Sequence, residues 1–201
     1  MNKTNYQKET DKVIESLDKV SKLLLHSCCA PCSSYTLEYL SQYFEITVFY
    51  FNPNISPIQE FEKRFDEQER LIHVLPAKHK ISLLKGEYDY NEFLQIAKGY
   101  EDVREGGERC FRCYRMRLEK TAKVAKEQGF DYFCTTLSIS PLKNSQKINE
   151  IGYETAQKYG VQWLPSDFKK REGYKRSIEM SREYNLYRQN FCGCVYSKNQ
   201  D

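Results

Sequence analysis

From residue 23 onward, short apolar runs alternate with amphipathic segments along the chain. The apolar runs predict five buried strands, at 23–26, 45–51, 81–84, 130–137 and 161–164. Segments with helical spacing of apolar residues separate them, most clearly over 58–75, where Pro76 ends the pattern. Because strands that alternate with helices pair in parallel, this order predicts an α/β fold with a mostly parallel sheet and helices on both faces.

The length of the chain, 201 residues, suits a single domain. Residues 1–21 are polar and charged with scattered apolar positions, which is typical of either an amphipathic helix or a loose arm. We therefore predict an N-terminal extension over 1–21, followed by one domain over 22–201.

The predicted strands also indicate where a site should lie. In open parallel sheets, ligands bind beyond the carboxyl ends of the strands. Cys28 and Cys29 directly follow the first predicted strand, and Ser138 follows the fourth. We therefore expect the functional site at this edge of the sheet.

The composition describes a folded protein, because 40% of the residues are hydrophobic and 29% are charged. The net charge of +3 is compatible with a nucleic-acid partner without indicating one. The sequence shows neither an apolar stretch of roughly 18 residues, as a membrane helix needs, nor an apolar run of signal-peptide type. We therefore expect a cytoplasmic protein that does not bind membranes.

The 8 cysteines are the least ordinary part of this composition. Stable disulfides are rare in the reducing cytosol, so these residues indicate metal binding or redox chemistry. Seven of them fall into three groups, namely Cys28, Cys29 and Cys32, then Cys110 and Cys113, then Cys192 and Cys194. Cys134 lies in an apolar predicted strand, where we expect a buried core residue.

Two Cys-x-x-Cys pairs allow more than one chemistry. Cys29 and Cys32 match a thioredoxin-like redox pair, but they also match half of a thiolate metal site completed by Cys110 and Cys113. Residues 33–109 separate the pairs, far more than the roughly 15–20 residues of a zinc ribbon, so the tertiary fold would have to gather the ligands. Thiolates bind both zinc and iron–sulfur clusters, and the ligand type leaves the metal open.

Cys192 and Cys194 are separated by a single glycine. A disulfide between them would close a very small, strained ring, and strained disulfides are the most easily reduced. The pair is therefore redox-active, or it provides two further metal ligands, or it consists of two inert thiols.

A basic segment follows the last predicted strand. Its basic residues are Lys169, Lys170, Arg171, Lys175 and Arg176, and tyrosines at 174, 184 and 187 lie among or after them. Cations that neutralise phosphates and rings that stack on bases are the usual means of holding single-stranded RNA. The solvated face of a helix is the other interpretation. Asp167, just before the segment, is a candidate proton donor or helix cap.

Six ordered blocks of this sequence resemble the epoxyqueuosine reductases of the QueH type. They are LHSCCAPC (25–32), FNPNI (51–55) with Pro57 and Glu60, RCFRCYRMRL (109–118), TTLSISP (135–141) with Lys143, DFKK (167–170) and YRQNFCGC (187–194). Cys-x-x-Cys alone is unspecific, but the ordered set spans almost the whole chain after residue 21.

The resemblance implies an adenine-nucleotide-hydrolase-like α/β fold. It also implies reduction of the epoxide of epoxyqueuosine, at the wobble position of tRNA anticodons, to queuosine. The implied groups are a [4Fe–4S] cluster on Cys28, Cys29, Cys110 and Cys113, and a redox-active disulfide between Cys192 and Cys194. Cys32 is placed to bind the second iron that family members can hold. The implied partners are tRNA carrying epoxyqueuosine and an electron donor that the sequence does not identify.

This reaction is consistent with the residues present. Removing an epoxide oxygen as water takes two electrons and two protons, so a cofactor has to supply the electron transfer. The Cys192/Cys194 couple could store an electron pair, and Asp167 or Tyr187 could supply a proton. Two rival hypotheses are a non-catalytic zinc-bearing RNA-binding protein and a thiol–disulfide oxidoreductase acting through Cys29 and Cys32.

Overall fold

The computed structural model describes residues 4–197, and its centre is a five-stranded sheet. The strands are β1 (Ser21–His26), β2 (Phe44–Tyr50), β3 (Ile81–Lys85), β4 (Tyr132–Thr135) and β5 (Gln162–Trp163). They lie in the order β3-β2-β1-β4-β5, and every neighbouring pair is parallel. The predicted α/β fold is therefore confirmed. Residues 1–3 and 198–201, at the ends of the predicted extension and domain, lie outside the described residues.

Helices cover the sheet in the described part of the chain. They are α1 (Tyr6–Glu15), α2 (Ala30–Leu40), α3 (Ile58–Val74), α4 (Tyr90–Ala97), α5 (Glu108–Glu127), α6 (Ser145–Tyr159) and α7 (Gly173–Glu183). α2 packs against α3 and α7, whereas α5 packs against α4 and α6. The chain crosses the sheet in one direction from β1 to β3 and in the other from β3 to β5, so right-handed crossovers place these two layers on opposite faces. Within residues 4–197, no helix has the length and apolar character needed to cross a membrane.

Much of the N-terminal segment forms α1, which was one of its two predicted states. Asn5 caps this helix by accepting a hydrogen bond from the Lys8 backbone N–H at 3.3 Å. The Thr10 hydroxyl donates to the carbonyl of Pro165 at 2.7 Å, which attaches α1 to the segment that follows β5.

The core is deepest around the central strand β1. Leu23, Leu24 and Leu25 are all fully buried, because β1 lies between β2 and β4 with helices on both sides. Cys134 lies beside Leu25 in register and is also fully buried. It is therefore the core residue that the sequence predicted.

β1 and β4 end side by side, where the strand order changes direction. His26 pairs with Thr135 at this edge. β4 ends two residues before the predicted limit at 137, because the Thr135 hydroxyl accepts a hydrogen bond from the Leu137 N–H at 3.2 Å. That bond starts a short 3₁₀ turn over Thr136–Ile139. A switch point of this kind is where parallel sheets bind their ligands.

Candidate active site

Cys28, Cys29 and Cys32 lie together directly beyond β1. Cys29 is the N-cap residue of α2, so the tight turn from strand to helix brings the three thiols close. Their sulfur atoms all lie within 4.8 Å of one another, and Cys28 Sγ is 3.7 Å from Cys29 Sγ. These residues, here called the cysteine triad, provide three soft ligands in one place.

Negative charge in the cysteine triad is concentrated on one sulfur. Hydrogen bonds from Cys29 and Cys32 hold the pKa of Cys28 well below its usual range. The interaction with Cys28 raises the pKa of Cys29 to about 12 and also raises that of Cys32. The N-terminus of α2 favours a thiolate here as well. Cys28 is therefore the residue of the cysteine triad that favours the thiolate, the form that binds metals.

Cys110, Cys113, Cys192 and Cys194 line a second, smaller cavity. The first two lie near the start of α5, and the other two belong to the segment that follows α7. The Gly106 N–H donates to Cys110 Sγ at 3.2 Å, and burial raises the pKa of Cys113 to about 12. The described residues contain no disulfide, so Cys192 and Cys194 are thiols in this structure. The disulfide between them stays a prediction.

A buried arginine, Arg117, is close to both groups of cysteines. Its guanidinium donates hydrogen bonds to His26 Nε2 at 3.1 Å, Asn52 Oδ1 at 2.6 Å and Cys113 Sγ at 3.9 Å. Burial lowers the pKa of Arg117, but nearby thiols, first Cys113 and then Cys28, raise it by more. Sulfur atoms from both groups of cysteines therefore surround this buried positive charge.

The buried ring of His26 lies next to Arg117. Burial, and then the charge of Arg117, lower the pKa of His26 to about 3, so its ring is neutral at physiological pH. His26 Nε2 lies 3.1 Å from both Arg117 Nε and the Phe51 carbonyl oxygen, and Nδ1 lies 2.8 Å from Thr135 Oγ1. The end of the sheet thus sets the orientation of Arg117.

A cleft of about 1130 Å³ opens beside both groups of cysteines. Cys28 and Cys32 line it, while Cys192, Arg117 and Lys143 line both the cleft and the smaller cavity. Burial lowers the pKa of Lys143, but the thiols of Cys192, Cys28 and Cys32 raise it by more. The cleft therefore places thiols and two cations around one space.

Most of the predicted RNA-binding residues are paired within the protein. The pairs are Lys169 with Asp167, Arg171 with Asp11, Lys175 with Glu172, and Arg176 with Glu38, Glu179 and Glu183. Among the five, only Lys170 forms no ion pair within residues 4–197. None of the five lines the cleft, whereas the exposed residues Arg104 and Arg188 do, beside Tyr174. The RNA-binding role of the five stays a prediction.

The two candidate proton donors lie outside the residues that line the cleft. Asp167 is buried and contacts Lys169 Nζ at 2.7 Å, and the Tyr187 hydroxyl donates to the Glu60 carboxylate at 3.1 Å. The capping role considered for Asp167 is wrong, because α7 begins after Glu172. The proton-donor role of either residue stays a prediction.

The sequence did not predict roles for His26, Asn52 or Arg64. His26 and Asn52 lie in two of the sequence blocks that carry the family resemblance, LHSCCAPC and FNPNI. The resemblance drew attention to these positions but did not predict their contacts with Arg117. Arg64 follows Phe61 by three positions on the inward face of α3 and is only 1% exposed. An arginine on the apolar face of a helix requires a buried partner, and that was the available signal.

The donor set fits a thiolate-bound metal centre. Seven cysteines from separate parts of the chain line the cleft or the smaller cavity, or belong to the cysteine triad. Thiolates are the ligands of iron–sulfur clusters and of zinc, and such centres carry negative charge. Arg117 and Lys143 supply positive charge next to these sulfurs.

Comparison with known proteins identifies the family of this chain. The family model described as Epoxyqueuosine reductase QueH matches residues 23–200. The protein of that name from Staphylococcus epidermidis is 46% identical over 202 residues, covering 97% of this chain and 85% of the relative. The one from Thermotoga maritima is 37% identical over 179 residues, covering 87% of this chain and 89% of the relative.

A likeness among solved structures concerns the fold alone. The predicted subunit of tRNA methyltransferase from Methanocaldococcus jannaschii superposes with a TM-score of 0.50 at 12% sequence identity. The match covers 80% of this chain and 74% of that one.

The fold and the site together define a class, an α/β oxidoreductase with clustered thiols at the switch point of its sheet. Within that class, the chain belongs to the epoxyqueuosine reductase family QueH, which acts in queuosine biosynthesis.

Proposed function

We propose that this enzyme reduces the epoxide of epoxyqueuosine, at the wobble position of tRNA anticodons, to queuosine. Family membership supports the reaction. The observation that carries the proposal for this chain is the convergence of the cysteine triad, Cys113 and Cys192 on a single cleft region around Arg117. A cleft of about 1130 Å³ exceeds the usual size of small-molecule pockets, which suits a nucleotide presented by a larger RNA.

The proposed cofactor is a [4Fe–4S] cluster held by Cys28, Cys29, Cys110 and Cys113, with Cys32 available to a second iron. When bound, the cluster transfers single electrons. The proximity of Cys28 and Cys113 to the same guanidinium, that of Arg117, supports a ligand set drawn from both groups.

The residues of the chain supply the rest of the chemistry. Oxidation of the Cys192 and Cys194 thiols to a disulfide releases two electrons and two protons. Reduction of one epoxide to an alkene consumes two electrons and two protons and releases the oxygen as water, so the two half-reactions balance. An external donor then has to reduce the disulfide again.

Arg117 and Lys143 have an electrostatic role in this proposal. Both line the cleft, and both carry positive charge beside the thiols. Fixed cations of this kind stabilise negative charge that develops on an oxygen as its bond to carbon breaks. The exposed residues Arg104 and Arg188 line the same cleft and are placed to contact phosphates.

Nucleoside analysis of tRNA tests this function. Cells that lack the gene should accumulate epoxyqueuosine, and the wild-type gene, but not Cys110→Ser, should restore queuosine. Cys134→Ala is the matched control. This cysteine lies in the core, so its replacement is expected to leave activity intact.

Anaerobic purification separates the rival functions. We expect a brown protein with iron and sulfide. A colourless, folded protein with tightly bound zinc that leaves epoxyqueuosine tRNA unchanged would contradict the proposal and favour the zinc-bearing RNA-binding protein. Reduction of protein disulfides that is lost in Cys29→Ser and Cys32→Ser would favour the thiol–disulfide oxidoreductase.

A further inference from the structure

Residues 191–194, here called the thiol loop, are attached to the protein by their main chain. Arg64 Nη2 and Nη1 donate hydrogen bonds to the carbonyl oxygens of Phe191 and Cys192, at 3.5 and 3.0 Å. The backbone N–H of Ser56 donates to the next carbonyl oxygen, that of Gly193, at 2.9 Å. Three consecutive carbonyl groups of the thiol loop are therefore held from outside the loop. Arg64, on α3, holds two of them, and Ser56, just before α3, holds the third.

The residue between the two cysteines of the thiol loop has to be glycine for the loop to contact Arg64. Gly193 has a φ of +101°, which an L-residue with a side chain rarely adopts. A Cβ at this position would also lie 3.2 Å from Arg64 Nη1 and 3.0 Å from Ile55 Cγ1. The loop is thus shaped to approach the guanidinium of Arg64 closely.

Arg64 is itself fixed on α3. It is 1% exposed, and its Nε donates to Glu60 Oε1 at 2.7 Å. Its guanidinium carbon lies 5.1 Å from the centre of the Phe191 ring. The planar guanidinium therefore donates from Nε to α3 and from Nη1 and Nη2 to the thiol loop. A lysine has a single nitrogen and cannot reproduce this arrangement.

We propose that Arg64 is a positioning residue that holds the thiol loop, so that Cys192 and Cys194 keep their places at the cleft and the smaller cavity. Arg64 acts through the loop backbone and does not transfer electrons or protons. The kinetic consequence rests on the proposed function, whereas the effect on thiol accessibility does not. Misplacement of a reacting group by about 1 Å can reduce a rate by about a hundredfold, so loss of this attachment should be evident in turnover.

Arg70 provides a matched control on the same helix. Its Nη2 also donates to two carbonyl oxygens of the C-terminal segment, those of Tyr184 and Asn185, each at 3.0 Å. It forms an ion pair with Glu67 at 2.7 Å, but its side chain is 43% exposed and its contacts lie outside the thiol loop. Comparison of the two arginines separates general attachment of the segment from positioning of the thiols.

The experiment compares Arg64→Gln, Arg64→Lys and Arg70→Gln with the wild type, purified anaerobically. Iodoacetamide labelling followed by peptide mass spectrometry measures the alkylation rate of Cys194, which is 8% exposed in the attached loop. Steady-state kinetics on epoxyqueuosine tRNA measures kcat and KM separately. Melting temperature and iron content verify that the variants are folded and loaded.

For Arg64→Gln we expect alkylation of Cys194 to rise about tenfold or more, and kcat to fall by about 30- to 100-fold with KM changed by less than about threefold. Arg64→Lys should be intermediate in both readouts, because one ammonium group can reach a single carbonyl. Arg70→Gln should stay within about twofold of the wild type in both.

Wild-type alkylation of Cys194 in folded Arg64→Gln would overturn the proposal, as would equal effects of Arg64→Gln and Arg70→Gln. If Arg64→Gln does not fold, Arg64→Lys decides, and wild-type behaviour in both readouts overturns the proposal. A wild-type protein without reductase activity would contradict the proposed function instead, and the alkylation rates would still test the role of Arg64.

Discussion

The cysteine triad and the thiol loop bring sulfur atoms to the same cleft by different means. The cysteine triad continues β1 and starts α2, so main-chain hydrogen bonds of regular structure fix its position. The thiol loop has no strand or α-helix of its own and depends on the side chain of Arg64 and the N–H of Ser56. One side of the site is therefore built by topology, and the other by a few specific contacts.

This difference separates two kinds of mutational effect. Changes in the cysteine triad should remove ligands from a scaffold that stays in place. Changes in the buried arginines should leave the thiols present but alter their position or their electrostatic environment. The predictions below test this separation, beginning with the largest effect.

Cys28→Ser should abolish epoxide reduction and remove most of the bound iron, because it deletes the thiol whose pKa is lowered in the cysteine triad. Iron analysis and tRNA nucleoside analysis measure the two effects. Cys134→Ala should retain both properties at a cost of about 1 kcal/mol in the free energy of unfolding, as expected for a small truncation in the core. Full iron content and activity in Cys28→Ser would contradict the proposed ligand set.

Arg117→Met should lower the free energy of unfolding by about 3 kcal/mol. It leaves His26 and Asn52 without their buried hydrogen-bond partner and removes the cation beside the cysteine sulfurs. Urea denaturation in anaerobic, reducing buffer measures this change. Arg115→Gln, on the same helix, breaks an ion pair with Glu154 in which the arginine is 43% exposed, and should cost at most about 1 kcal/mol. Equal costs would show that Arg117 is not the central buried cation of the site.

Arg188→Gln should weaken binding of substrate tRNA by about three- to tenfold and lower the salt dependence, because it removes one exposed cation from the cleft. Arg176→Gln should leave the affinity within about twofold, because this guanidinium already contacts Glu38 and Glu183, each at 2.6 Å. Filter binding over a range of salt concentrations distinguishes the two. A larger loss of tRNA affinity in Arg176→Gln than in Arg188→Gln would instead indicate that the basic segment is the main RNA contact.

The hydrophobic pattern predicted most of the fold, because burial sets the period of both strands and helices. The helix expected over 58–75 is α3, and the run at 23–26 is the fully buried C-terminal part of β1. The pattern missed α4, which has only 8 residues and whose start depends on the cap at Asp89. It also made β4 too long, because a local side-chain bond at Thr135 ends the strand.

Local sequence patterns predicted less of the candidate site than of the fold. Neighbours in sequence, such as Cys28 and Cys29, were expected to lie together. The meeting of Cys113 with Cys192 at the smaller cavity is a tertiary contact that neither the spacing nor the family resemblance predicted. The ion pairs of the basic segment have partners such as Asp11 and Glu38, more than a hundred residues away in the chain. No spacing rule reports such contacts.

A single-turnover reaction without an added electron donor tests the central claim most directly. The iron-loaded protein is reduced with a thiol, desalted anaerobically and mixed with epoxyqueuosine tRNA, and then nucleosides and cysteine peptides are quantified together. The account predicts that queuosine forms and that a Cys192–Cys194 disulfide appears for each queuosine. Queuosine formation with both thiols unchanged, or no queuosine from folded, iron-loaded protein, would contradict it.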